Sequence, residues 1–145
     1  MEDPVYADTS FWVSLYVLDA NSTRARRLVR KNHPCLLTRI VEHELRNAIR
    51  LGVFRNQITS AQSDASLAVF ESDLKTTLVE TASIAWDRIF RRAEALSQEF
   101  TALQGQRATD ILHVASALEL GVSRFVTFDK RQAQLAKSVG LKLVS

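Results

Sequence analysis

The sequence predicts an α/β fold, a three-layer arrangement in which a mostly parallel central sheet of about four to five short strands is flanked by helices. Short apolar runs alternate along the chain with longer segments whose apolar residues recur at helical spacing. Glycine (4) and proline (2) are too scarce for a turn-rich all-β chain. A length of 145 residues, with 46% hydrophobic and 24% charged residues, suits one ordinary core, so residues 1–145 are expected to form a single domain.

The elements follow in order. Val5–Ala7 is a short apolar run that stops at Asp8-Thr9-Ser10, and reads as a first strand. Phe11 to Leu18 is apolar nearly all round and predicts a buried helix. Asn21-Ser22-Thr23 offers caps for an Arg-rich helix to Asn32, with Ala25, Leu28 and Val29 facing inward. Pro34 to Leu37 reads as a second buried strand, after which Thr38 caps a helix running to about Gly52. Helices are expected over Ser60–Lys75 and Ile84–Phe100, with a third strand at Thr77–Glu80 between them. The C-terminal third reads as a helix (Thr109–Leu120, closed by Gly121), a strand (Arg124–Phe128), a helix (Lys130–Val139, stopped by Gly140) and a last strand (Leu141–Val144).

Several function classes are made improbable by composition. The lone Cys35 allows no internal disulfide and no zinc–thiolate cluster, which fits a reducing, cytoplasmic compartment. No apolar run approaches the ~20 residues of a membrane span, and the N-terminus has no basic-then-apolar signal pattern. A net charge of +3 and a pI near 9.4 permit nucleic acid as a partner without demanding it. Arginines cluster at Arg24–Arg30 and Arg88–Arg92; alone, each cluster reads as a solvated helix face.

Parallel α/β sheets place their sites beyond the carboxyl ends of the strands. Asp8 and Asp129 each follow a predicted strand and precede a predicted helix, so each satisfies both the pattern of an N-cap and that of a site acid. Asp110 lies in a first helical turn, where the macrodipole also favours an acid. Glu44 falls within the apolar stripe of Ile40, Val41, Leu45, Ala48 and Ile49, whereas Glu42 is expected to point away with His43, Arg46 and Arg50. A carboxylate in such a stripe needs a partner. Four converging carboxylates would repel one another unless a cation neutralised them, and an all-oxygen set suits Mg²⁺ or Mn²⁺ and not zinc. The chemistry so implied is metal-assisted attack of water on a phosphodiester.

The segments VYADTSFWVSLY, TRIVEHELRNAI and ATDILHVASALELGVSRFVTFDKRQAQLAKSVGLKLV resemble, in order and spacing, the PIN domain, and within it the VapC-type toxin ribonucleases. The resemblance spans essentially the whole chain and is most specific in its C-terminal third; residues 56–106 carry no family signature. It implies a PIN-like α/β/α fold in which Asp8, Glu44, Asp110 and Asp129 form the acidic metal site, steadied by the hydroxyls of Ser10 and Thr127. It further implies an Mg²⁺- or Mn²⁺-dependent ribonuclease with one or two ions, a homodimer, and a cognate antitoxin.

On that reading some of Arg24, Arg27, Arg46, Arg50, Arg91 and Arg92 are expected to contact the RNA backbone, with Trp12, Tyr16 and Trp86 as candidate stacking surfaces. His113, one turn after Asp110, is within reach of the site, but a packing or surface histidine is the reading its sequence favours. The competing class is a non-catalytic PIN-like module that binds RNA or protein. A phosphotransferase of the haloacid-dehalogenase pattern would want an acid where Ser10 stands.

Overall fold

The computed structural model describes residues 3–145. Strand β1 (Val5–Ala7) and strand β2 (Cys35–Leu37) are buried at every position, as strands covered on both faces must be, and this explains why they read as unbroken apolar runs. Strands β3 (Val79–Thr81), β4 (Arg124–Val126) and β5 (Lys142–Leu143) complete a sheet of order β3-β2-β1-β4-β5 in which every pairing is parallel. The polar edge strands β3 and β5 are the more exposed. The chain steps outward from β1 through β2 to β3, then returns to lay β4 against the other side of β1. The topological switch therefore falls between β1 and β4. Their register places Tyr6 opposite Phe125, and the two rings stack at 5.3 Å and 8°.

Helices α1 (Thr9–Tyr16), α2 (Ser22–Lys31), α3 (Arg39–Phe54), α4 (Ser60–Asp73), α5 (Trp86–Leu96), α6 (Ala102–Gln104), α7 (Ala108–Glu119) and α8 (Lys130–Ser138) give the three-layer α/β/α arrangement. Helix α1 packs on α2 and α3, α3 on α4, and α7 on α5 and α8. As expected, Ala25, Leu28 and Val29 are the inward face of α2, and Thr38 caps α3 through Val41 N.

Several elements differ from expectation. Helix α1 begins two residues early because Asp8 caps it, and it ends at Tyr16, leaving Leu18 85% exposed. Asn21 makes no side-chain cap; the Ser22 hydroxyl instead accepts from Asp19 N at 2.8 Å and donates to Val17 O at 3.1 Å. The helix expected to run to Phe100 is α-helical only to Leu96, then widens into a π-helical stretch, Ser97–Thr101, before α6 closes at Gly105 with a left-handed φ of 66°.

Helix α3 needs the larger correction. Its fully buried line is Val41, Leu45, Ile49 and Gly52, and Glu44 lies on the half-buried row with Ile40 and Ala48. Glu42 and Arg46 do not face solvent: α4 packs on that side, and Arg46 is ion-paired with both Glu42 and Glu71 while lying 5.2 Å over the Phe70 ring.

Candidate active site

The buried ends of β1 and β4 lead directly into the site. Asp8 is only 2% exposed. Its backbone N donates to Val126 O at 3.2 Å, which fixes it beside β4. Its Oδ1 accepts from Phe11 N at 3.1 Å, making it the cap of α1, and from the Ser10 hydroxyl at 2.7 Å. Its Oδ2 accepts from the Thr127 hydroxyl. Asp8 is thus both a helix cap and an acid at the switch point, and Thr9 and Ser10 do not relieve it of capping. Ser10 in turn accepts from Phe128 N at 3.0 Å, and Thr127 from Asp129 N at 2.9 Å, so the two hydroxyls stitch the ends of β1 and β4 together.

Asp129 caps α8, its Oδ1 accepting from Gln132 N at 3.0 Å. The buried Gln132 side chain donates to Asp110 O at 2.9 Å and so holds the first turn of α7 against α8. Asp110 and Asp129 are spanned by one guanidinium: Arg107 donates from Nε to Asp110 Oδ2 at 2.8 Å and from Nη2 to Asp129 Oδ2 at 2.6 Å. Glu44, with a side chain 32% exposed, accepts at Oε1 from the Thr9 hydroxyl at 3.1 Å and from His113 Nε2 at 2.7 Å. The four acids, together with Thr9, Ser10, Arg107, Thr109, His113 and Gln132, line one cavity of about 210 Å³.

The acids differ in electrostatic setting. Burial raises the Asp8 carboxyl above its ordinary value, opposed by the hydrogen bonds from Thr127, Ser10 and Phe11 N. Burial also acts to raise Glu44, but the hydrogen bond and charge of His113, with the Thr9 hydroxyl, outweigh it and hold Glu44 below its ordinary value. The repulsion expected between Asp110 and Asp129 is relieved within the protein by Arg107, and Glu44 is hydrogen-bonded by His113.

Among the described residues no three His, Cys, Asp or Glu side chains stand in a metal-holding arrangement. Arg107 accounts for part of this, because it already occupies the space between Asp110 and Asp129. The donor chemistry fits a hard cation nonetheless, since four carboxylates and three hydroxyls on one cavity are an oxygen set of the kind Mg²⁺ and Mn²⁺ prefer.

The arginines expected to contact RNA are spread over helices α2, α3 and α5. Arg24 lies 5.5 Å over the Phe128 ring, between Thr127 and Asp129 in sequence, and is close to the site. Arg27, Arg50 and Arg91 are exposed, whereas Arg46 is engaged as described and Arg92 pairs with Glu119 at 2.6 Å. Trp12 is no stacking surface: it is fully buried and donates to Ala7 O at 3.1 Å. Tyr16 is tied to Asp73 at 2.9 Å, and Trp86 stacks on Phe90 at 5.7 Å. Sequence reasoning missed Arg107 as a site residue and assigned His113 to packing or the surface. Both stand three residues from Asp110, the spacing that shares a helix face, and that was the available signal.

An all-parallel sheet with an acidic cavity at its switch point defines a doubly wound α/β protein. The PIN domain profile matches residues 5–138, and the chain belongs to that family. Among solved structures the fold is similar to VapC20 of Mycobacterium tuberculosis, a sarcin–ricin loop cleaving toxin (21% identical, covering 90% of this chain and 93% of that chain, TM-score 0.64). It is also similar to VapBC2 from Rickettsia felis, bound to a DNA fragment from their promoter (17% identical, 97% of each chain, TM-score 0.64). A third is FitAcB from Neisseria gonorrhoeae (13% identical, 97% of this chain and 96% of that chain, TM-score 0.67). No curated protein matches the chain in sequence.

Proposed function

We propose that this PIN domain protein is a metal-dependent endoribonuclease that hydrolyses RNA phosphodiester bonds, and that it is the toxin of a VapBC-type toxin–antitoxin pair. The observation that carries the reading is the gathering of Asp8, Glu44, Asp110 and Asp129 on one cavity at the switch point. A bound Mg²⁺ or Mn²⁺ would lower the pKa of a coordinated water and shield charge growing on the phosphate. Asp8 and Asp129 would hold the ion, with Glu44 and Asp110 binding it directly or through water.

The chain's own groups divide the remaining work. Asp8 is made immobile by its three donors, which leave roughly one of its four lone-pair sites for a ligand. Glu44 Oε2 takes no hydrogen bond from the described residues and is the oxygen available to a water proton. Arg107, with a side chain 59% exposed, brings a guanidinium to the cavity that suits a phosphodiester oxygen.

One observation favours the second reading, a non-catalytic binding module. Arg107 already neutralises two of the acids, as it would in a site that never takes a metal. The test is a structured RNA incubated with protein stripped by chelator and then resupplied with Mn²⁺. Cleavage that stops and returns supports the nuclease; binding without cleavage under every condition supports the module.

The antitoxin partner, a homodimeric state and a cytoplasmic location belong to the same proposal, supported by the family and by the two-component VapBC2 and FitAcB assemblies. No helix among the described residues is long and apolar enough to cross a membrane. Expression of the protein alone should arrest growth, and a small neighbouring reading frame should relieve the arrest.

A further inference from the structure

We propose that His113 is a positioning residue that, oriented by the phenol of Tyr6, fixes Glu44 Oε1 and leaves Oε2 as the working oxygen of that acid. The inference rests on the reading of the acids as a metal site and deepens it. Tyr6 is fully buried at the centre of β1, and its hydroxyl lies 2.9 Å from His113 Nδ1. The other ring nitrogen, Nε2, lies 2.7 Å from Glu44 Oε1. Four elements therefore meet at one carboxylate oxygen: β1 and α7 through the Tyr6–His113 pair, α1 through Thr9, and α3, which carries Glu44 itself.

The hydrogen positions follow from the partners. A carboxylate oxygen only accepts, so Nε2 must carry the hydrogen that faces it. In the neutral ring Nδ1 is then an acceptor, and the Tyr6 O–H is the donor to it. The imidazole is held on both sides and buried, so it has little rotational freedom to lose when the site is formed.

Glu44 gains the most from this. A partly exposed glutamate has several rotatable bonds and would otherwise turn its carboxylate to water. With Oε1 held by both Thr9 and His113, rotation about the last bond is blocked and Oε2 stays where the cavity presents it. This is the role that hydrogen-bonded partners of metal-binding carboxylates play in general, and their loss typically costs roughly 10–100-fold in metal affinity.

The test uses the full chain with four variants and two measurements. His113→Leu removes the donor, while His113→Gln keeps an N–H at a reach similar to Nε2. Calorimetric titration with Mn²⁺ should show His113→Leu weakened by roughly 10–100-fold and His113→Gln restored most of the way to wild type. Adding His113→Leu to Glu44→Gln should weaken binding no further. Nitrogen-15 NMR of the metal-free wild type should show His113 with hydrogen on Nε2 and, in the neutral ring, an accepting Nδ1. A neutral His113 with its hydrogen on Nδ1 overturns the proposal. So does a folded His113→Leu protein that binds Mn²⁺ as wild type does, or one that His113→Gln fails to improve upon. A wild type that shows the Nε2–H signal yet takes up no Mn²⁺ overturns the metal reading alone, and keeps His113 as the residue that orients Glu44.

Discussion

Thr127, just past the end of β4, donates its hydroxyl to Asp8, just past the end of β1, and accepts through the same oxygen from Asp129 N at 2.9 Å. One hydroxyl thus ties two site acids together across the switch point of the sheet. Thr127→Val keeps the shape and removes both bonds, leaving a buried carboxylate oxygen and a backbone N–H without partners. Urea denaturation should show a loss of about 1–3 kcal/mol, and an unchanged midpoint would mean that the tie carries no weight.

Asp8 and Glu44 should depart from ordinary pH behaviour in opposite directions. Asp8 has a raised folded pKa, so its favourable contribution is complete below the ordinary value of 3.8 and is lost as pH climbs through the raised value. At neutral pH that contribution is lost, because burial disfavours the ionised carboxyl in the metal-free fold more than in the unfolded chain. Asp8→Asn can keep the Phe11 N and Ser10 bonds at its oxygen and turn its amide to Thr127. Its melting temperature should therefore exceed that of wild type at neutral pH, with the difference narrowing in acid.

Glu44 has a lowered folded pKa, so its contribution is present above the ordinary value of 4.5 and disappears as pH falls through the lower folded value. Glu44→Gln should be less stable than wild type at neutral pH and converge with it in acid. Melting curves of both variants across that range check the two signs together.

Arg107 holds Asp110 and Asp129 as a cation would, so it competes with a metal for them. Arg107→Ala should bind Mn²⁺ about tenfold more tightly, the equivalent of ~1.4 kcal/mol, while RNA binding weakens. Because the Arg107 side chain is largely exposed, the loss of folding stability should be small. If calorimetry finds no Mn²⁺ binding to either protein, Arg107 is a permanent counter-ion and the binding-module reading gains.

Phe125 stacks on Tyr6 across the β1–β4 pairing and is fully buried. Phe125→Ala opens a cavity beneath the Tyr6–His113 pair. Chemical denaturation should show a loss of about 3–5 kcal/mol. A smaller loss with a displaced His113 signal would mean that Tyr6 has relaxed into the space.

Much of the site could be read from local pattern because its acids interrupt regular elements. Asp8 and Asp129 stand where apolar strands stop, and Asp110 opens a helix with a strongly apolar face. Glu44 stood out because it interrupts an apolar stripe, although it lies at the stripe's margin and not in its centre. The readings that failed depend on what a neighbouring element does. Glu42 and Arg46 looked solvent-facing because a helix's own periodicity does not reveal that α4 covers them. Arg107 stayed hidden, and His113 was weighed toward packing or the surface, because assigning them requires knowing which side of α7 faces the cavity. The π-helical stretch has no distinguishing composition, so its position could not be anticipated.

The central claim is that the four acids form a metal-dependent nuclease site, and RNA cleavage by purified protein with Mn²⁺ tests it most directly. Wild type should cut a structured RNA, while Asp8→Asn and Asp129→Asn, each shown to be folded by its melting transition, should lose at least ~100-fold in rate, as removal of a metal-holding group from a hydrolytic site demands. Cleavage that survives both substitutions, or that proceeds undiminished in excess chelator, would contradict the account.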